Sequence, residues 1–183
     1  MKKMNLPNKL TVLRMILVPV FMAVLLLWNR WVALAIFIAA SLTDFVDGKI
    51  ARARGLVTDF GKFMDPLADK LLVISAMVIF VEQGTMPSWV CMVVIARELA
   101  VSGLRMVAAS HGTVMAAGWS GKIKTACTMI GLCVMMVPRA ADIAIAGSFT
   151  VNTLMWIVIL VTTVVSGVEY FAKNGSVLVQ GDI

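Results

Sequence analysis

The sequence predicts an all-α, polytopic integral membrane protein with six transmembrane helices, and three observations carry that prediction. Hydrophobic residues make up 61% of the 183 residues and charged residues only 14%, against roughly half apolar and a quarter charged in soluble domains. Turn and charge signals divide the chain into six apolar stretches, each about the roughly 20 residues that a bilayer crossing needs. Positive charge then falls almost wholly on one side of the membrane that those stretches define. No Ser/Pro linker, low-complexity tract or repeat interrupts residues 1–183, which read as a single membrane-embedded domain.

Taken in order, the first stretch spans residues 10–28 and ends at Trp28-Asn29-Arg30. The second, 31–52, ends at the Arg54-Gly55 loop, and the third, 64–82, at Gln83-Gly84 ahead of Pro87. The fourth, 87–108, stops before His111-Gly112; the fifth, 119–138, before the segment from Arg139 to Gly147; the sixth covers 148–171. Basic residues before the first stretch and Ala33-Leu34-Ala35 after it resemble a signal peptide. Arg30 and two tryptophans stand just ahead of that site and more spans follow, so the first stretch is read as a retained span. Cys91, Cys127 and Cys133 fall inside predicted spans without paired spacing and read as packing residues, not as disulfides or thiolate metal ligands.

Six spans place both termini on one side. All 16 Lys and Arg except Arg30 and Arg139 belong to that side, so the termini and both charged loops are expected in the cytoplasm. Trp28, Trp31 and Trp89 then fall at the outer interface. The net charge of +6 suits contact with anionic lipid, although topology alone recruits the same cations. No nucleic-acid partner is expected.

Residues 41–70, SLTDFVDGKIARARGLVTDFGKFMDPLADK, concentrate charge in this apolar chain. They form a hairpin between the second and third spans, with its tip in the cytoplasm. Asp44 and Asp47 are three apart and Asp65 and Asp69 four apart, so each pair shares a helix face. Asp44 precedes Arg52 by eight residues, about 12 Å of helix, which buries it below the membrane surface. Ionisable groups at such depth are costly and mark function. Four carboxylates this close repel unless protons or cations intervene. Two divalent ions would cancel the charge, and all-oxygen ligation suits Mg²⁺ or Mn²⁺. Gly48 leaves a gap through which a phosphate-bearing ligand can approach, and Arg52 is placed to bind such a phosphate. Plainer roles exist for single members: Asp65 before Pro66 fits an N-cap, Asp59 and Arg54 fit loop charges, and Lys49 and Lys62 fit topological anchors.

The pattern Asp44-x2-Asp47-Gly48-x2-Ala51-Arg52-x8-Gly61-x3-Asp65-x3-Asp69 resembles the complete signature of the CDP-alcohol phosphatidyltransferase family, with no departure in residue type or spacing. Length, span number, the Pro7-Asn8-x2-Thr11-x2-Arg14 opening, Arg97-Glu98, Arg105 and Gly121-Lys122-x-Lys124-Thr125 resemble the bacterial members that use glycerol 3-phosphate. The resemblance implies that Asp44, Asp47 and Asp65 hold metal, with Asp69 near the second ion and serving as the base. It also implies that Gly48, Ala51, Arg52 and Gly61 line a CDP pocket that Asn8, Thr11 and Arg14 close. The implied reaction moves a phosphatidyl group from CDP-diacylglycerol to the 1-hydroxyl of glycerol 3-phosphate, giving phosphatidylglycerophosphate and CMP at the bacterial inner membrane. The implied assembly is a homodimer.

The shared motif reads the donor, so inositol phosphate, serine or phosphatidylglycerol remain alternative acceptors. Outside the family, a membrane prenyltransferase also binds diphosphate with aspartates and Mg²⁺, and a transporter can hold intramembrane carboxylates. A second cationic group addresses the acceptor: Arg97, Arg105, Lys122 and Lys124, at the cytoplasmic ends of the fourth and fifth spans. Arg97 and Arg105 are about 80° apart around a helix and can border one cavity, whereas Lys122 and Lys124 diverge by about 160°. Glu98 is placed to pair with one arginine. Positive-inside anchoring is the plainer account of these four cations.

Overall fold

The computed structural model describes the backbone of residues 6–53, 59–110, 118–138, 143–146 and 149–175, and within them the side chains of all but residues 6–11, 44–53, 59–66, 69, 110 and 146. Six helices occupy most of the described chain: α1 (Leu6–Leu27), α2 (Arg30–Ala53), α3 (Asp59–Glu82), α4 (Ser88–Ser110), α5 (Trp119–Met136) and α6 (Val151–Asn174). Each overlaps one of the expected stretches. The sequence reading had no strand, and here it is corrected: β1 (Ala144–Ala146) and β2 (Phe149–Thr150) pair antiparallel just ahead of α6. The sixth helix therefore begins at Val151 and not at residue 148. Its first turn is fixed by Thr150, whose hydroxyl accepts from the Thr153 amide at 3.3 Å, an N-cap that satisfies an otherwise orphaned donor.

The other breaks have equally local causes. Asn29 ends the α1–α2 connection because its side-chain oxygen accepts from the amides of Trp31 at 2.8 Å and Val32 at 3.4 Å, capping α2. Gly84 adopts φ +67°, the left-handed conformation that glycine enters without a Cβ penalty. There the amides of Thr85 and Met86 fold back onto the Phe80 carbonyl at 2.9 and 3.1 Å, consuming an orphan acceptor at the end of α3.

Side-chain links show that the helices alternate in direction. At one end, Arg30 at the start of α2 donates to Gln83 just past α3, at 2.9 Å. Trp89 early in α4 meets Trp156 early in α6 edge-on, with ring centroids 6.1 Å apart. At the other end, α3 meets α4 through Lys70 and Ser102, α4 meets α5 through Glu98 and Lys124, and α4 meets α6 through Arg97 and Ser166. Between the ends lies an apolar core in which Phe21, Phe37, Met77, Phe80, Leu132 and Ile159 are fully buried. The Phe21 and Phe37 rings pack at 5.7 Å and join α1 to α2.

The outward faces are also apolar, with Ile16 on α1, Met92 and Leu99 on α4, and Val161, Val165 and Val168 on α6 all exposed. Among the described residues, α6 is long and apolar enough to cross a bilayer, and α1 and α2 carry shorter apolar stretches, Val12–Leu27 and Arg30–Thr43.

Candidate active site

Helix α2 continues unbroken through Ala53, so residues 44, 47, 48, 51 and 52 follow the i, i+3, i+4, i+7, i+8 spacing of one helical stripe. Helix α3 begins at Asp59, so residues 61, 65 and 69 form a second row at four-residue intervals. The side chains of Asp44, Asp47, Gly48, Ala51, Arg52, Gly61, Asp65 and Asp69 lie outside the described residues, as do those of Asn8 and Thr11 on α1. What is described is the backbone that carries them. Helix α1 packs on both α2 and α3, and from it Arg14 enters the interior, only 5% exposed.

The row on α3 continues to Val73, four residues past Asp69, and Val73 lines an open cleft between α3, α4 and α5. Lys70, Glu98, Lys124, Thr125 and Thr128 supply its polar groups, above apolar side chains that include Val94 and Met129. Lys124 is 5% exposed, and an ammonium so deep requires a counter-charge. Glu98 provides it: Lys124 Nζ donates to Glu98 Oε1 at 2.7 Å. Arg97 Nη1 donates to the same oxygen at 2.8 Å, while its Nη2 donates to Ser166 Oγ of α6 at 2.6 Å. Lys70 reaches across to the Ser102 hydroxyl, which itself donates to the Glu98 carbonyl at 2.7 Å.

The four cations expected to act together are thus divided. Lys124 lines the cleft, and Arg97 joins it through Glu98. Arg105 lies further along α4, where its Nε donates to the Tyr170 hydroxyl at 3.2 Å and its guanidinium covers the Tyr170 ring at 5.4 Å. Lys122 turns outward, with its ammonium 5.1 Å from the centre of the Trp119 ring. The divergence expected for Lys122 and Lys124 accounts for one being exposed and the other buried.

Sequence reasoning missed Lys70, Ser102, Ser166 and Tyr170 as parts of this end of the bundle. Lys70 carried a usable signal, being the residue after Asp69; Ser102 follows Glu98 by four and so shares its face. Ser166-Gly167 carried another, a small polar pair inside an apolar helix.

Comparison with known proteins matches residues 4–168 to the family described as CDP-alcohol phosphatidyltransferase. The chain is 42% identical to "CDP-diacylglycerol--glycerol-3-phosphate 3-phosphatidyltransferase" of Bacillus subtilis (strain 168), over 95% of this chain and 97% of the relative. It is 37% identical to "Probable phosphatidylglycerophosphate synthase" of Mycobacterium tuberculosis (strain CDC 1551 / Oshkosh), over 92% of this chain and 81% of the relative. It is 34% identical to the 3-phosphatidyltransferase of Rickettsia felis (strain ATCC VR-1525 / URRWXCal2), over 91% of this chain and 93% of the relative. With the aspartate motif intact on two adjoining helices and the family matched over nearly the whole bundle, the chain belongs to the CDP-alcohol phosphatidyltransferase family.

Proposed function

We propose that this chain transfers the phosphatidyl group of CDP-diacylglycerol to the 1-hydroxyl of glycerol 3-phosphate, releasing CMP and forming phosphatidylglycerophosphate. The observation that carries the reading is the continuity along α3, where the row that bears Asp65 and Asp69 runs into a cleft lined by Lys70 and Lys124. A donor site and a cationic acceptor site then adjoin on one helix face. The names of the relatives point the same way.

In this reading the hydroxyl oxygen of the acceptor attacks the phosphorus that bears diacylglycerol. A new P–O bond forms, the bond to the CMP oxygen breaks, and CMP carries away the electron pair. Asp69 takes the proton of the attacking hydroxyl. Gly48, Ala51, Arg52 and Gly61 line the CDP pocket, and Asn8, Thr11 and Arg14 close it from α1. Lys124 and Arg97 receive the acceptor phosphate at the cleft, with Arg105 and Lys122 further out.

The donor set of Asp44, Asp47, Asp65 and Asp69 is all carboxylate and spread over two helices, which suits hard divalent ions that leave positions open to phosphate oxygens. Two Mg²⁺ or Mn²⁺ ions, when bound, would supply charge neutralisation at the pyrophosphate and the departing CMP. The assembly proposed is a homodimer of single-domain protomers.

We further propose that all six helices span the bacterial inner membrane, with the termini and the site in the cytoplasm. Its support is the alternation of helix direction, the apolar outward faces and the gathering of cations at one end. Trp28, Trp31 and Trp89 stand exposed at the opposite end, as an interfacial belt requires.

The test is incubation of purified protein with CDP-diacylglycerol, Mg²⁺ and separate labelled acceptors: glycerol 3-phosphate, inositol phosphate, serine and phosphatidylglycerol. Label should enter lipid from glycerol 3-phosphate. Label entering from another acceptor instead would overturn the acceptor assignment, and no lipid product from any would overturn the transferase reading.

A further inference from the structure

We propose that Glu98, together with Ser166, is the positioning frame of the acceptor site, holding Lys124 and Arg97 in one fixed arrangement before the acceptor arrives. The inference rests on reading the cleft as the acceptor site.

A carboxylate on the wall of an anion site is at first sight misplaced, because it repels the ligand. The hydrogen bonds explain it. One oxygen, Oε1, receives Lys124 from α5 at 2.7 Å and Arg97 from its own helix at 2.8 Å. The far edge of Arg97 is held by Ser166 Oγ of α6 at 2.6 Å. A Cβ at Gly167 would stand 3.3 Å from Arg97 Cγ, so the stem of the arginine lies close against bare backbone. Two long side chains that would otherwise sample many rotamers are thereby fixed from three helices, which removes much of the ordering cost of binding.

Charge supports the same conclusion. Among the described residues, Arg97 and Lys124 set two positive groups against the carboxylate of Glu98, so the trio keeps a net positive charge suited to an anion. Among the described residues Arg97 Nε is buried without a hydrogen-bond partner, so the guanidinium is held by its two outer nitrogens alone. Glu98 thus lets two cations stay close together and deep without repelling each other apart, and it does so without touching the phosphate.

Glu98→Gln keeps the shape and removes the charge. In steady-state assays with each substrate varied in turn, it should raise the KM for glycerol 3-phosphate by about tenfold or more, with kcat and the CDP-diacylglycerol KM changed by about threefold at most. Ser166→Ala, which frees only one edge of Arg97, should raise the same KM by about threefold. Combining Glu98→Gln with Lys124→Met should cost far less than the product of the two single effects, because both remove one interaction. Should Glu98→Gln fail to accumulate as folded protein, the Ser166→Ala measurement decides. An unchanged glycerol 3-phosphate KM in the variants that fold would overturn the frame. So would a parallel loss in kcat and both KM values, which marks a merely structural role. Wild-type protein assayed alongside separates the two levels: absence of any lipid product there defeats the proposed reaction, whereas normal product with unaffected variants defeats only the frame.

Discussion

Lys124 and Lys122 are two positions apart in sequence, yet one is buried and the other exposed. Lys124 is 5% exposed and bonded to Glu98; Lys122 is exposed and rests over Trp119. A charged hydrogen bond in a partly desolvated site contributes roughly 1.5–3 kcal/mol. Lys124→Met should therefore raise the glycerol 3-phosphate KM by about 10- to 100-fold while Lys122→Ala has a smaller effect, since an exposed cation is screened. Equal effects in kinetic assays of the two variants would contradict this ranking. For Asp69, which we propose as the base, Asp69→Asn should lower turnover by about 10²- to 10⁴-fold while CDP-diacylglycerol binding is retained. Asp44→Asn or Asp65→Asn should lose turnover together with divalent-ion binding, read by isothermal titration. If Asp69→Asn also loses donor binding, its chief role is that of a ligand to the ion.

At the scale of helices, α5 and α6 approach closely because Gly131 offers no side chain. A Cβ placed there would meet the Ile159 side chain at 2.9 Å, and Ile159 is fully buried. Gly131→Val should destabilise the protein by about 1–3 kcal/mol through overpacking. Gly103 on α4 has nothing within 4 Å of such a Cβ, so Gly103→Ala should be neutral or stabilising by about 0.5–1 kcal/mol. Thermal unfolding of the two variants in the same detergent checks the contrast, and a Gly131→Val protein as stable as wild type would contradict the packing described. Helix positions were legible beforehand because apolar runs and punctuating residues such as Asn29 and Gly84 act locally. The hairpin of β1 and β2 was not, since two strands of three and two residues carry too little period to be separated from a loop. Which cation met which partner was also not legible. The pairing of Arg97 with Ser166 and of Arg105 with Tyr170 joins residues 69 and 65 positions apart, and helix periodicity constrains neighbours three or four apart but not the rotation of one helix against another.

The whole molecule separates two environments along the helix axes. The middle of the bundle and its outward faces are apolar, and one end gathers the aspartate-bearing segments of α2 and α3 with the cations of α4 and α5. A reaction between a lipid-anchored donor and a water-soluble acceptor needs both. The aspartate motif was readable in full from residues 44–69 because its meaning is carried by residue type and spacing; the cleft was not, because it is assembled from three helices. The central claim, that these parts perform one metal-dependent phosphatidyl transfer, is tested most directly by stoichiometry. Purified protein in vesicles containing CDP-diacylglycerol would be given labelled glycerol 3-phosphate, with lipid-bound label and released CMP measured together before and after chelation. The account predicts one CMP for each labelled lipid, loss of both with excess chelator, and recovery of both with Mg²⁺ or Mn²⁺. Full turnover under excess chelator, or labelled lipid formed without CMP, would contradict it.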